Sequence, residues 1–259
     1  MDLRGRVCLI TGAAQGIGEA TARALSRRGA ELVLTDLRLD RLEAQQGMPG
    51  ALRLEMDVRD VSAIEAGVAR AVEHFGALDV VVNNAGVGIP RDIHDLDEEV
   101  WNLTIDVNLN GPYRVVKAAL PHLQRSRGHI ATVASMAARL QTPLLGHYSA
   151  SKAGVAAFSE TLRIELRPDG IGITTVYFGT IDTPMVTGAL ADPATPQSQQ
   201  DMLARGRRLG ITPLVPAARA GEAIATGIER ERRAVVLPRR WRPIFHLPAP
   251  MQRLIERTS

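Results

Sequence analysis

Short runs of apolar residues alternate along this chain with longer segments in which apolar positions recur every three or four residues, the pattern of repeated βαβ units. Seven strands are predicted, at Val7 to Thr11, Glu31 to Thr35, Leu52 to Glu55, Val80 to Asn83, His129 to Ala134, Gly172 to Tyr177 and Ala234 to Leu237. Helical spacing falls between them, near Ile17 to Arg28, Val61 to Phe75, Glu98 to Leu123, Tyr148 to Leu166 and Ala217 to Glu229. Strands that read as nearly unbroken apolar runs are buried on both faces, and right-handed crossovers then put helices on both sides of one sheet. The expectation is an α/β fold with a doubly wound, parallel, seven-stranded sheet. Two stretches break the rhythm. Residues 185–215 are rich in Ala, Gln, Pro and Thr, and a long irregular insertion of this kind predicts a lid or binding loop. Residues 238–259 carry Pro238, Pro243, Pro248 and Pro250 before a short helix predicted at Met251 to Arg257.

Composition sharpens this in a few respects. Aromatic residues make up only 3% of the chain, so the core has to be aliphatic, which suits a helix-covered parallel sheet. A length of 259 residues fits one domain spanning 1–259. The single Cys8 falls inside the first apolar run, with no partner for a disulfide, and reads as a small buried hydrophobe; no metal is expected. The start, Met1-Asp2-Leu3-Arg4-Gly5-Arg6, enters a strand pattern directly, with no apolar segment of a signal peptide and no later run able to span a bilayer. A cytoplasmic location is therefore expected. The net charge of +3 is unevenly spread: Arg232, Arg233, Arg239, Arg240, Arg242, Arg253 and Arg257 face Glu256 alone near the end. No nucleic-acid motif accompanies these arginines, so a solvated face or a subunit contact is favoured over nucleic acid or anionic lipid.

The candidate chemistry sits at strand ends. After the first strand comes Thr11-Gly12-Ala13-Ala14-Gln15-Gly16-Ile17-Gly18, opening straight into a helix. Glycines there permit a tight turn, close approach of backbone to a pyrophosphate, and tight packing of helix on sheet, while the helix N-terminus offers free N–H groups to phosphate. Alone, such a turn is a weak signal; the strand before it and the helix after it make a Rossmann-type dinucleotide site the stronger reading. Asp36 ends the second strand where a carboxylate bonds an adenosine ribose and repels a 2′-phosphate, favouring NAD, although the guanidinium of Arg38 lies close enough to leave NADP open. Asp57 and Asn83-Asn84-Ala85-Gly86 follow the third and fourth strands. Tyr148 and Lys152, four residues apart, share a helix face, and an ammonium one turn away, together with the positive charge of an oxidised nicotinamide, would lower the phenol toward neutrality. Tyr-x-x-x-Lys is a common pattern, but Ser135 just past the fifth strand could donate a hydrogen bond to a carbonyl oxygen beside it. Asn108 interrupts a long apolar helix pattern, where a buried amide needs partners and predicts a local bend holding a water.

Taken in order, these motifs resemble the short-chain dehydrogenase/reductase family, in its compact branch, over about Arg6 to Leu237. The resemblance implies an NAD(P)-dependent oxidoreductase of alcohols and ketones. It gives Ser135 the orienting of the carbonyl, Tyr148 the acid/base role, Lys152 the nicotinamide ribose and the lowering of the tyrosine pKa, and Asn108 a relay water. It further implies that Gly12, Gln15, Gly16, Ile17, Gly18, Asp36, Asp57, Val58, Asn84, Ala85, Gly86, Tyr148, Lys152, Gly179, Ile181 and Thr183 hold the cofactor. Dimers or tetramers are common in that family. One departure is Phe178-Gly179-Thr180-Ile181-Asp182-Thr183, where a Pro-Gly pair is usual; Phe178 trades a ring that fixes the backbone for one that fills space. A hydrophobic ketone or alcohol is expected as substrate under the 185–215 lid, with Ala137, Leu140, Leu144, Leu145 and Met185 as wall candidates. The rival readings are a dinucleotide-binding sensor without catalysis, and a membrane-peripheral reductase using Trp241, Ile244 and Phe245 of the basic tail.

Overall fold

A computed structural model describes residues 1–192, 195–197, 200, 205, 208 and 213–246. The remainder of the predicted lid and the helix expected at Met251 to Arg257 lie outside the described residues, as do the side chains of Ile244 and Phe245. The order is β1 (Val7–Thr11), α1 (Gly16–Ser26), β2 (Glu31–Asp36), α2 (Leu39–Glu43), β3 (Leu52–Glu55), α3 (Val61–Phe75), β4 (Val80–Asn83) and α4 (Glu98–Ile105). A π turn (Asp106–Asn110) leads into α5 (Gly111–Ser126) and β5 (His129–Val133), followed by a 3-10 turn (Met136–Ala138), α6 (Gly146–Glu165) and β6 (Gly172–Phe178). Then come β7 (Ile181–Asp182), α7 (Pro184–Ala191), β8 (Val215–Pro216), α8 (Ala217–Glu229), β9 (Ala234–Leu237) and a 3-10 turn (Arg239–His246).

The seven predicted strands form one sheet in the order β3-β2-β1-β4-β5-β6-β9. Every pairing is parallel, with Cys8 opposite both Leu32 and Val80. The period of two sorts β1 between the faces: Cys8 and Ile10 pack with α1 and α8 through Ala22, Leu25, Ala220 and Ile224, whereas Val7 and Leu9 pack with α3 and α5 through Ile64, Val68, Val115 and Ala119. The aliphatic core expected from composition is thus split by the sheet into two halves. Helix limits follow local chemistry. Asp60 caps α3 by accepting from the N–H groups of Ser62 and Ala63 at 2.8 and 3.2 Å, and Gly76 ends it at φ 77°.

Several expectations need correction. The helix predicted over Glu98 to Leu123 is two helices joined by a π turn, because one extra residue is looped in at Asn108 without disturbing the apolar spacing on either side. The stretch beginning at Met185 is not irregular at its start: Pro184, free of any need for an N–H, opens α7. The two-residue β7 and β8 pair through Ile181 and Val215 in a small second sheet that escaped the periodic pattern, as did the five-residue α2, which buries only Leu42. Strand β6 runs one residue further than predicted, through Phe178, which pairs with Leu237.

Candidate active site

The switch of strand order falls between β1 and β4, where crossovers leave in opposite directions and open a crevice at the carboxyl ends. Its floor is bound together by hydrogen bonds between side chains and backbone. The Thr11 hydroxyl accepts from the N–H groups of Asn84 and Ala85, both at 3.0 Å, and the Asn84 amide donates to the carbonyls of Thr11 and Gly12 at 2.9 and 3.0 Å. Gly12 turns at φ 65° against Ala85, and a Cβ on Gly18 would stand 2.1 Å from the Gly12 carbonyl oxygen, so α1 can approach β1 only with glycine at that place. Gln15 precedes α1 without a side-chain cap, which leaves the first N–H groups of the helix facing the crevice.

A cleft of about 600 Å³ occupies this crevice. Of the residues proposed to hold a cofactor, Gly12, Gln15, Gly16, Ile17, Asp36, Asp57, Val58, Asn84, Ala85, Gly86, Tyr148, Lys152, Gly179, Ile181 and Thr183 all line it. Gly18 does not; it lies behind the turn, in packing. Asp36 is held by the N–H groups of Ala14 and Arg38, at 3.0 and 3.1 Å, and Arg38 Nε stands 3.8 Å from the same carboxylate. Asp57 is gripped by Arg59 through Nη2 at 2.6 Å and Nε at 2.9 Å, and this hydrogen-bonded guanidinium holds the carboxyl below the usual carboxylate range despite partial burial. Arg59 lines the cleft and was missed, although its place two residues past Asp57 is the spacing at which an Asp side chain folds back on the following backbone.

At the far end, Ser135 caps the 3-10 turn by accepting from Ala137 N–H at 3.1 Å and lies 3.4 Å from the Phe178 carbonyl oxygen, to which it donates. Helix α6 brings up Tyr148 and, one turn on, Lys152, whose Nζ donates to the Val133 carbonyl at 2.8 Å and lies 5.7 Å from the centre of the Tyr148 ring. Burial raises the Tyr148 phenol above its ordinary range, and a hydrogen bond with Ser135 draws it part of the way back. In the protein alone Lys152 does not offset that burial; the lysine is itself pushed down to about 8 by its own desolvation. Both groups are driven toward their neutral forms.

Two further expectations change. Asn108 sits in the predicted bend but is fully buried and does not line the cleft: its Oδ1 accepts from Val87 N–H at 2.8 Å, and its Nδ2 donates to the Val87 carbonyl at 2.9 Å and to Ser151 Oγ at 3.1 Å. Ser151 in turn donates to the Tyr148 carbonyl at 2.7 Å, so Asn108 ties the 86–88 loop to the helix turn that presents the tyrosine. Among the expected wall residues Met185 alone lines the cleft. Leu140 packs into a small apolar cluster instead, and the chain reverses at Leu144, φ 66°, whose carbonyl accepts from Arg91 N–H at 2.9 Å. Val87, Phe178, Pro184 and Val186 supply the apolar walls, and Leu103 and Val107 reach the cleft beside them. Sequence spacing carried no signal for these, since they reach one cleft from β6, α4, α7, the π turn and the loop after β4, segments far apart in the chain. Among the described residues no helix is long and apolar enough to cross a membrane.

The chain is similar to known dehydrogenases and reductases. The chain is 36% identical over 194 residues to a trans-4-hydroxycyclohexanecarboxylate dehydrogenase of Sinomonas cyclohexanicum, covering 71% of this chain and 75% of that protein. It is 33% identical over 244 residues to 11-beta-hydroxysteroid dehydrogenase A of Sesamum indicum, covering 92% and 69%. Among solved structures, a 3-ketoacyl-(acyl-carrier-protein) reductase from Brucella melitensis complexed with NADH superposes with a TM-score of 0.79 at 28% identity, covering 91% of this chain and 97% of that one. The family described as short chain dehydrogenase matches residues 6–194, and the chain therefore belongs to it, as an NAD(P)-dependent oxidoreductase acting on CH–OH groups.

Proposed function

We propose that this protein interconverts a secondary alcohol and a ketone on a largely hydrophobic small molecule, with NAD as hydride carrier and Tyr148 as the acid/base group. The observation that carries the reading is convergence: the glycine turn, the Asp36 carboxylate and the Ser135, Tyr148 and Lys152 side chains all line one cleft. The residues fit a dinucleotide, since the uncapped α1 N-terminus and the bare backbone of Gly12 offer donors for its phosphates. When bound, the nicotinamide supplies or accepts the hydride. The chain's own groups handle the proton. In the reducing direction the Tyr148 hydroxyl gives its proton to the carbonyl oxygen as negative charge develops there, while the Ser135 hydroxyl donates a hydrogen bond to the same oxygen. In the oxidising direction the proton returns to Tyr148. A phenol kept protonated by burial suits the first direction, and Lys152, oriented by the Val133 carbonyl and still mostly an ammonium at neutral pH, is the cation that steadies the phenolate once formed. Asp36 favours NAD by repelling a 2′-phosphate; Arg38 beside it is the feature that would favour NADP.

Met185, Val186, Pro184 and Val87 give the cleft apolar walls, which suit the carbon rings in the hydroxycyclohexanecarboxylate and hydroxysteroid named for the relatives. A sensor without chemistry would have no use for the hydrogen-bonded Ser135–Tyr148 pair. The test is Tyr148→Phe, assayed for NADH-linked turnover of cyclic alcohols and ketones. Turnover should fall about 10³-fold, within the range for a lost acid/base group, while NADH affinity stays within about threefold. Turnover close to that of the unaltered protein would refute the assignment.

A further inference from the structure

We infer that Trp241 is a positioning residue for the nicotinamide end of the cleft, its indole clamping the Phe178–Thr183 turn against the strand end that carries Ser135. The inference rests on the dinucleotide reading above. It begins with Phe178, whose presence goes with a β6 that stays paired with β9 to its last residue, Phe178 opposite Leu237. The next N–H, that of Gly179, still donates to the Leu237 carbonyl at 2.8 Å. Beyond Leu237 the chain turns at Pro238, and Trp241 N–H donates back to the Pro238 carbonyl at 3.0 Å. That turn lays the indole across Gly179: a Cβ there would stand 2.6 Å from Cζ3 and 3.0 Å from Cη2. The side chain can lie on this backbone only because residue 179 has none of its own.

The half-buried indole also packs against a small cluster of Ala134, Met136, Val155, Ala156, Tyr177 and Val236. Ala134 and Met136 flank Ser135 in the chain, Ala156 follows Lys152 by one helical turn, and Tyr177 precedes Phe178. One aromatic ring therefore touches both the Gly179 backbone and the cluster that supports Ser135 and α6. The distance between those two segments fixes where a carbonyl held by Ser135 sits relative to the turn containing Gly179, Ile181 and Thr183, and the 3.4 Å bond from Ser135 Oγ to the Phe178 carbonyl shows how closely they approach. A large, rigid side chain at such a seam sets geometry through packing and adds no chemistry of its own.

The experiment compares binding of NADH and of ADP-ribose, which lacks the nicotinamide, to the full chain and to Trp241→Ala and Trp241→Phe. Trp241→Ala should weaken NADH roughly tenfold and leave ADP-ribose within about twofold, with Trp241→Phe recovering most of the loss. If Trp241→Ala fails to fold, Trp241→Leu, which keeps an apolar side chain at the seam but removes the flat indole, should show the same selective loss in smaller measure and decides the matter. Equal weakening of both probes, or unchanged NADH affinity, would overturn the inference. An unaltered protein that bound neither probe would overturn the dinucleotide reading itself, and this inference with it.

Discussion

The two ends of the cleft are built on opposite principles. At the phosphate end the named polar side chains are already bonded, and the first N–H groups of α1 are left to face the crevice: Thr11 and Asn84 stitch β1 to β4, Asp36 holds two backbone N–H groups, and Asp57 is locked to Arg59. That end is a rigid backbone shape, finished before any ligand arrives. At the chemical end the ionisable groups are buried without charged partners, so that Tyr148 is pushed up and Lys152 down. One end recognises by form, whereas the other holds groups whose charged states the protein alone disfavours. A bound ligand has most to contribute where the protein leaves charge unsupported.

The largest effect should come from breaking the rigid end. Gly18→Ala would set a methyl 2.1 Å from the Gly12 carbonyl oxygen, an overlap with backbone that no rotamer relieves, so α1 must shift away from β1. Overpacking of this kind costs about 3 kcal/mol or more, and NADH affinity should fall at least about 100-fold, since the helix N-terminus moves with α1. Calorimetric titration and thermal melts check both. Retained affinity in a destabilised protein would mean that the phosphate end is less rigid than its hydrogen bonds imply.

This difference also explains what could be read from the chain alone. The phosphate end was legible because it is made from residue types that the backbone itself demands: Gly12 for its turn, Gly18 for close packing, Asn84 and Asp36 at strand ends. Tyr148 and Lys152 were legible as a pair because α6 keeps them one turn apart. The direction of their pKa shifts was not, since it follows from burial among groups such as the Val133 carbonyl, Gly88 and Ser135, which arrive from other segments. Asn108 signalled a bend by being polar in an apolar run, but its partners, Val87 and Ser151, come from two other segments. The expected walls at Leu140, Leu144 and Leu145 failed for a similar reason, because the 139–146 loop reverses at Leu144 and turns its apolar side chains elsewhere.

The second effect sharpens the chemical end. If burial holds Lys152 at about 8 against 10.5 for a free lysine, the folded state carries a penalty for the ammonium on the order of 3 kcal/mol at neutral pH. Lys152→Met should therefore raise the melting temperature at pH 7 while abolishing turnover. The sign of the pH dependence follows from proton counting. Below 8 the lysine is protonated both folded and unfolded, so the penalty is full; between 8 and 10.5 the unfolded chain binds more protons, and the unaltered protein gains stability as pH rises. The advantage of the methionine variant should shrink across that window and level off above it. A gap that stayed constant from pH 7 to 11 would show that the ammonium is solvated and the contrast between the two ends overstated.

The smallest effect returns to the phosphate end and asks whether Asp36 acts there through charge or through shape. Its carboxylate both holds the Ala14 and Arg38 N–H groups and keeps Arg38 Nε within 3.8 Å. Asp36→Ala removes the charge that repels a 2′-phosphate and releases the guanidinium, so the ratio of NADPH to NADH affinity should rise about tenfold, a shift of 1.4 kcal/mol. NADH affinity itself should also fall, because the glycine turn loses the acceptor that positions Ala14. Asp36→Asn separates the two contributions: it keeps one oxygen acceptor for the backbone but carries no charge. If its cofactor ratio shifts as far as that of Asp36→Ala while NADH binding is largely kept, charge sets the preference and shape sets the affinity. If instead both variants lose NADH equally with no change in ratio, Asp36 is a structural brace, and the choice between the two nicotinamide cofactors rests with Arg38 and its neighbours.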